Sequence, residues 1–83
     1  MHRDETLILR ILKTLKAKHI QFCEERQLLK SVARQSPGEF TSDVIQLHLN
    51  QMSSCGLLKP VTIQKDTRAY AIDWAGYDYL DET

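Results

Sequence analysis

Apolar residues recur at helical spacing in the first half of the chain, and they predict two amphipathic helices. The first covers residues 4–18, with Asp4 as its N-cap. Its apolar stripe consists of Leu7, Ile8, Ile11, Leu12 and Leu15. The second covers residues 24–34 and ends at the turn signal Ser36-Pro37-Gly38. Its inward residues are predicted to be Leu28, Leu29, Val32 and Ala33.

A third helix is predicted after that turn, and residues typical of helix ends mark both of its limits. Thr41 is a preferred N-cap residue, and Gly56 can adopt the left-handed conformation that ends many helices. Between them, one face repeats at helical spacing and is predicted to turn toward the core. That face consists of Val44, Ile45, His48, Leu49, Met52 and Cys55.

The apolar pattern then changes from helical to alternating, which predicts a β-hairpin. Its strands cover residues 61–64 and 70–72, and residues 64–68 form the connecting tip. Pro60 has no backbone N–H, so it is expected at the strand start or on an edge of the sheet.

Two shorter elements complete the order along the chain. Residues 19–22 alternate and predict a minimal strand, and Asp73 can cap a short last helix over residues 74–80. The order is helix, small strand, helix, helix, hairpin, helix. It predicts an α+β fold of the winged helix-turn-helix type, with three helices, a β-hairpin wing and a short C-terminal helix. Residues 1–83 are expected to form a single winged-helix domain.

Three stretches of the sequence carry a family resemblance. LHLNQMSSCGLL resembles the third helix of many bacterial winged-helix regulators, and YAIDWAGYDYLD resembles the closing segment of the same class. Together with the opening HRDETLILRIL, they resemble an uncharacterised small winged-helix family of bacterial, phage and prophage proteins. The shared motifs lie at core and cap positions, so the resemblance implies the fold and leaves the function open.

Composition narrows the range of partners and compartments. Eleven basic residues balance eleven acidic ones, so the chain as a whole has no net attraction to polyanions. No apolar run approaches the roughly 20 residues that span a bilayer, so no membrane association is expected. Two cysteines do not make the disulfide framework of a small secreted domain. These features predict a cytoplasmic protein with reduced thiols.

The winged-helix fold predicts a DNA-binding surface on the outward face of the third helix and on the hairpin tip. On that helix, Gln46 and Asn50 are amides that could each read adenine through two hydrogen bonds. The candidate contacts to double-stranded DNA are Gln46, Asn50 and Ser53 on the third helix, Lys59, Lys65 and Arg68 in the hairpin, and Arg26, Lys30 and Arg34 on the second helix. The third helix itself carries no lysine or arginine.

Because the third helix has no cationic side chain, its polar face has other possible interpretations. The polar face could contact only solvent, or it could bind a protein, as in an adaptor or inhibitor built on this scaffold. A homodimer through the first and last helices is also expected, because Leu9 lies off the apolar stripe and the last helix cannot bury all its aromatic residues. The candidate dimer-interface residues are Leu9, Lys13, Tyr77 and Tyr79.

Metal binding and catalysis have little support in the sequence. Cys23, His48 and Cys55 could be drawn as a zinc site, but no close ligand pair accompanies them, and buried structural roles are predicted instead. No nucleophile elbow, paired carboxylates or glycine-rich phosphate loop is present. The chain is therefore not expected to be an enzyme or to carry a cofactor.

Overall fold

The computed structural model describes residues 4–17 and 22–82, within which four helices accompany a three-stranded sheet. The helices are α1 (Glu5–Ala17), α2 (Glu25–Gln35), α3 (Ser42–Ser54) and α4 (Trp74–Asp81). The strands are β1 (Cys23–Glu24), β2 (Leu58–Gln64) and β3 (Thr67–Ile72). The α+β class and the order of elements are those predicted from the sequence.

The bounds of the strands differ from the predictions. Of the strand predicted over residues 19–22, residues 19–21 lie outside the described part of the chain, and Phe22 precedes β1. β2 begins at Leu58, earlier than the alternating pattern indicated, and β3 begins at Thr67. Backbone pairing between β2 and β3 explains the extension, because the ladder runs from Leu58 opposite Ile72 to Gln64 opposite Thr67.

The sheet is antiparallel, with β3 between β1 and β2. β2 therefore lies at an edge, with β3 as its one neighbour among the described strands. Pro60 lies on β2, opposite Tyr70. An edge strand tolerates a residue without a backbone N–H, so the predicted placement of Pro60 is confirmed.

The hydrophobic core lies between α1, α2 and α3 and the sheet. The predicted stripe of α1 is buried along its whole length, and the aromatic ring of Tyr70 enters the core from β3. Burying one leucine or isoleucine side chain contributes about 1.5–3 kcal/mol to folding, so this cluster supplies most of the stabilisation. Its members from the other elements include Leu28, Val32, Ile45, Leu49, Met52, Leu57 and Leu58.

Two residues that were predicted to point inward are exposed, which corrects the predicted faces of α2 and α3. Ala33 follows the fully buried Val32 and is rotated about 100° from it around the helix axis. Cys55 lies after the last helical residue, at the C-cap of α3, where the chain leaves the helix. The apolar face of α3 therefore ends at Met52.

Both predicted ends of α3 are confirmed. The Thr41 hydroxyl oxygen accepts a hydrogen bond from the backbone N–H of Val44 at 3.3 Å. Gly56 has a φ of +85°, and the N–H of Leu57 donates to the carbonyl oxygen of Met52 at 2.9 Å. This is the Schellman arrangement, in which a left-handed glycine satisfies the last carbonyls of a helix.

Helix α4 packs closely against α1 and the start of β2. Gly76 is buried, and a Cβ atom at this position would overlap the carbonyl oxygen of Leu57 and lie 2.7 Å from Cγ2 of Ile72. The Tyr79 hydroxyl donates to Oε2 of Glu5 at 2.9 Å. The glycine therefore permits a close approach of α4, and the tyrosine ties it to α1.

Candidate nucleic-acid interface

Two amide side chains lie one turn apart on α3 and form a hydrogen bond with each other. Nε2 of Gln46 donates to Oδ1 of Asn50 at 3.3 Å. Asn50 is exposed and Gln46 is half-buried. The spacing of four residues puts side chains on the same face of a helix, which accounts for the contact.

A carboxylate from α2 joins this pair to the sheet. Oε2 of Glu25 accepts hydrogen bonds from Nε2 of Gln46 at 3.3 Å and from the Tyr70 hydroxyl at 2.9 Å. One oxygen atom therefore links α2, α3 and β3. Glu25 cannot be singled out from the sequence alone, because an acidic residue in the first turn of a helix is common without any functional role.

The environment of Tyr70 keeps its hydroxyl protonated. Burial raises the pKa of Tyr70 above the ordinary value of 10.0, and the hydrogen bond and negative charge of Glu25 raise it further. Hydrogen bonding from Gln46 and Arg68 opposes this increase in the pKa. Because the neutral hydroxyl can donate to the carboxylate, it holds Glu25 where the carboxylate also accepts from Gln46 of α3.

A groove of about 320 Å³ runs between α3 and the hairpin. It brings together three residues that were predicted to contact DNA: Asn50, Ser53 and Arg68. The Ser53 hydroxyl donates to the carbonyl oxygen of Leu49 at 2.9 Å, which leaves its oxygen able to accept a bond from a ligand. Pro60, Val61, Thr62 and Tyr70 complete the lining.

A second cleft, of about 360 Å³, lies between the start of α2 and the hairpin tip. Arg26 and Arg68 both line it, so two of the predicted phosphate ligands share one site. Glu24, Glu25, Asp66 and Thr67 also line it. Three carboxylates and two guanidinium groups therefore line this cleft, so its formal charge is negative and the two arginines are its cationic groups.

The remaining predicted cations lie outside both clefts. Lys59 and Lys65 are exposed on the hairpin. Lys30 and Arg34 are exposed on α2, where intervals of four residues place them on the same side as Arg26. Arg26, Lys30 and Arg34 therefore form a cationic stripe along α2, which begins at the cleft that Arg26 and Arg68 line.

The predicted dimer-interface residues fall into two groups. Leu9 is half-buried and lines a shallow cleft of about 220 Å³ with the exposed Lys13. Tyr77 is 52% exposed on α4, whereas Tyr79 is half-buried and bonded to Glu5 of its own chain.

From the sequence, most of the aromatic residues near the end of the chain are predicted to close the core, and the last helix is predicted not to bury all of its own. Tyr70 and Tyr79 pack in or against the core, but Trp74 is 84% exposed and Tyr77 is also exposed. Only two of the four close the core, so the first prediction is wrong, whereas the second is confirmed. Trp74 begins α4, and its backbone N–H donates to the capping carboxylate of Asp73 at 2.8 Å, with its side chain turned to solvent.

His48 has the structural role that its position predicted. Its side chain is buried, its Nε2 accepts from the backbone N–H of Asp4 at 3.1 Å, and its Nδ1 lies 2.9 Å from the carbonyl oxygen of Val44. Both ring nitrogens are thus engaged by backbone groups. In the part of the chain that the structure describes, no three histidine, cysteine, aspartate or glutamate side chains are grouped to hold a metal ion.

These helices and the hairpin define a winged-helix protein. Two solved structures share the fold. RosR of H. salinarum aligns with a TM-score of 0.80 and 16% identity, over 98% of this chain and 71% of its own. The ferric uptake regulator of Francisella tularensis, solved with iron, aligns with a TM-score of 0.70 and 12% identity, over 88% of this chain and 55% of its own.

The comparisons establish the fold and do not extend to a family. No family model matches the chain, and no curated protein sequence matches it. This chain spans little more than half the length of the ferric uptake regulator structure. Among residues 4–17 and 22–82, no helix combines the length and the apolar character needed to cross a bilayer.

Proposed function

We propose that this protein binds double-stranded DNA and regulates transcription, acting in the cytoplasm as a homodimer. The resemblance to a small bacterial, phage and prophage family supports a regulator of phage or prophage type. The observation that carries the proposal is the groove between α3 and the hairpin, where Asn50, Ser53 and Arg68 converge. In a winged helix, these two elements are the ones that approach the major groove and the adjacent backbone.

The distribution of charge supports a division of roles on this surface. α3 supplies neutral amides and hydroxyls, which are suited to hydrogen bonds with base edges. The hairpin and α2 supply the cations, with Arg26 and Arg68 lining one cleft. Phosphate contacts by such cations provide most non-specific affinity, so zero net charge is compatible with DNA binding when the positive residues are gathered on one side.

A gel-shift assay with duplex DNA tests the proposal directly. The chain is expected to bind at low salt, and its affinity should fall steeply between about 50 and about 200 mM salt. Lys65→Ala and Arg68→Ala should each weaken binding and reduce the salt dependence, and the double variant more so, whereas Lys16→Ala on α1, which also removes one positive charge, should have little effect. Lys16 is exposed and lines neither cleft, so it controls for loss of one positive charge. No binding at low salt would rule out the proposed function.

The exposed aromatic residues of α4 favour a second candidate function, binding to a protein partner. Trp74 is 84% exposed and Tyr77 52% exposed, and tryptophan and tyrosine are enriched at the energetic centres of protein interfaces. On this alternative the protein is an adaptor or inhibitor, and α3 contacts protein. A partner complex that survives high salt and is lost in Trp74→Ala, from a chain that does not bind DNA, would favour it.

A further inference from the structure

The hydrogen bonds around Gln46 commit its amide to one orientation. Its Nε2 donates to Glu25 at 3.3 Å and to Asn50 at 3.3 Å. A carboxylate accepts hydrogen bonds and cannot donate them, so the amide must turn its nitrogen, and not its oxygen, toward Glu25. The carbonyl oxygen Oε1 of Gln46 is left as an acceptor, with no hydrogen bond to any described residue.

Asn50 is left with the complementary group. Its Oδ1 accepts from Gln46, and its Nδ2 makes no hydrogen bond within the described part of the chain. Because the side chain is exposed, its two N–H donors face solvent or a ligand. The pair therefore leaves one free acceptor on the half-buried Gln46 and one free donor group on the exposed Asn50, both on α3.

We propose that Gln46 and Asn50 read one adenine jointly and that Glu25 is a positioning residue that holds the Gln46 amide in the required orientation. This inference rests on the proposed DNA-binding function. In the major groove, adenine offers the N6 amino group as donor and N7 as acceptor. Gln46 accepts from N6 and Asn50 donates to N7, so the two side chains together make the contact that one amide makes elsewhere.

The same arrangement disfavours guanine at that position. Guanine offers two acceptors, O6 and N7, and O6 would face the carbonyl oxygen of Gln46. Two acceptors without a hydrogen between them leave both groups unpaired, which is costly in a desolvated interface. Free rotation of the Gln46 amide would remove this penalty by presenting N–H to O6. Glu25 prevents that rotation, because a carboxylate accepts hydrogen bonds and cannot donate them.

Selection from a random-sequence duplex pool, followed by affinity measurements on single-base variants of the selected duplex, tests this assignment. For the unaltered chain, we expect one A·T position at which replacement by G·C weakens binding by about tenfold or more. In Glu25→Gln the new amide can donate to Oε1 of Gln46, so the same replacement should cost less than about threefold. Glu24 and Glu25 line the same cleft, so the salt dependence of Glu25→Gln should match that of Glu24→Gln, which removes the same charge there.

Glu24→Gln is the matched control. It removes the same charge one residue earlier, at the N-cap of α2, where the side chain makes no capping hydrogen bond. We expect it to retain the full preference for adenine. A chain with Gln51→Ala, which loses an exposed amide elsewhere on α3, should retain it as well.

A second measurement does not depend on the folding of Glu25→Gln. Replacing the selected adenine by 7-deazaadenine removes N7 and should weaken binding of the unaltered chain. The same replacement should have no effect on Asn50→Ala, which has already lost the donor. Equal sensitivity of both chains, or a Glu25→Gln variant that keeps its preference for adenine, would overturn the inference alone. Absence of DNA binding by the unaltered chain would overturn the proposed function and the inference together.

Discussion

The Tyr70 hydroxyl donates a hydrogen bond to Glu25 at 2.9 Å, across a separation of 45 residues in the chain. Tyr70 is a core residue of β3, and Glu25 lies in the first turn of α2 next to the candidate DNA-binding face. The bond therefore connects the stability of the core to the arrangement of the amides on α3.

Removing this hydroxyl should destabilise the protein modestly. Tyr70→Phe retains the buried ring and leaves Glu25 with one donor fewer, so we expect the free energy of unfolding to fall by about 1 kcal/mol. Urea denaturation followed by circular dichroism measures the change. Tyr77→Phe is the control, since Tyr77 is 52% exposed and no hydrogen bond within the described residues depends on its hydroxyl. Equal losses in both variants would contradict the importance of the bond.

The raised pKa of Tyr70 predicts a loss of stability at high pH. Burial and Glu25 hold the pKa of the folded chain above 10.0, the value that an unfolded chain would show. The folded state therefore binds this proton more tightly, and the contribution is fully present below about pH 10 and lost as the pH rises through the folded pKa. An ultraviolet titration of tyrosinate, taken as the difference between the unaltered chain and Tyr70→Phe, should give a midpoint above 10. A midpoint at or below 10 would show that the hydroxyl is not held as described.

Substitution of Gly76 should weaken the attachment of α4. Alanine favours helices over glycine by about 1 kcal/mol, but its Cβ would overlap the carbonyl oxygen of Leu57, and overpacking of this kind costs about 1–3 kcal/mol or more. Because the overlap is with backbone, we expect Gly76→Ala to lower the free energy of unfolding by about 2 kcal/mol.

Chemical denaturation measures this loss, and Gly38→Ala provides the comparison. A Cβ at Gly38 would meet nothing within 4 Å, so only its φ of +73° opposes the substitution. We expect a cost of about 1 kcal/mol there. If Gly76→Ala were as stable as the unaltered chain, the close contact between Gly76 of α4 and the carbonyl oxygen of Leu57 would be contradicted.

The proposed homodimer predicts that residues on α1 and α4 control self-association. Leu9→Ala and Tyr77→Ala should each shift the protein toward monomer in sedimentation velocity measurements over a range of concentrations, because each removes apolar surface from the expected interface. Ile63→Ala on the hairpin is the matched control, since Ile63 is also exposed, at 41%. A protein that stays monomeric at all concentrations would exclude this dimer.

The charged residues of α1 could also contribute to the dimer, but Arg10 is paired with an acidic residue of its own chain. It forms a salt bridge with Glu39 at 3.4 Å, so pairing between protomers would fall to the exposed Lys13 of the predicted interface. In a dimer that places α1 of one protomer against the acidic residues Asp78, Asp81 and Glu82 of the other, Lys13→Glu should weaken association, and raising the salt concentration should have the same effect. If neither Lys13→Glu nor higher salt weakens the dimer, the apolar residues and not the charges stabilise it.

The residues at the two ends of α3 could be identified from the sequence because their partners are local. Thr41 accepts a hydrogen bond from a backbone N–H three residues away, and Gly56 adopts the left-handed conformation directly after the last turn of α3. The helical period likewise located the buried stripe of α1, since burial of apolar side chains follows the geometry of one helix. The same short-range patterns predicted the order of helices and strands that is typical of a winged helix.

Tertiary packing decided which polar residues share a site. Gln46 and Tyr70 meet Glu25 across 21 and 45 residues, and no local pattern specifies those contacts. Their positions depend on how α2, α3 and β3 pack, which is a sum of many non-directional apolar contacts. The same packing turned Ala33 and Cys55 outward, because the edge of a buried face is set by the neighbouring elements and not by the helical period alone.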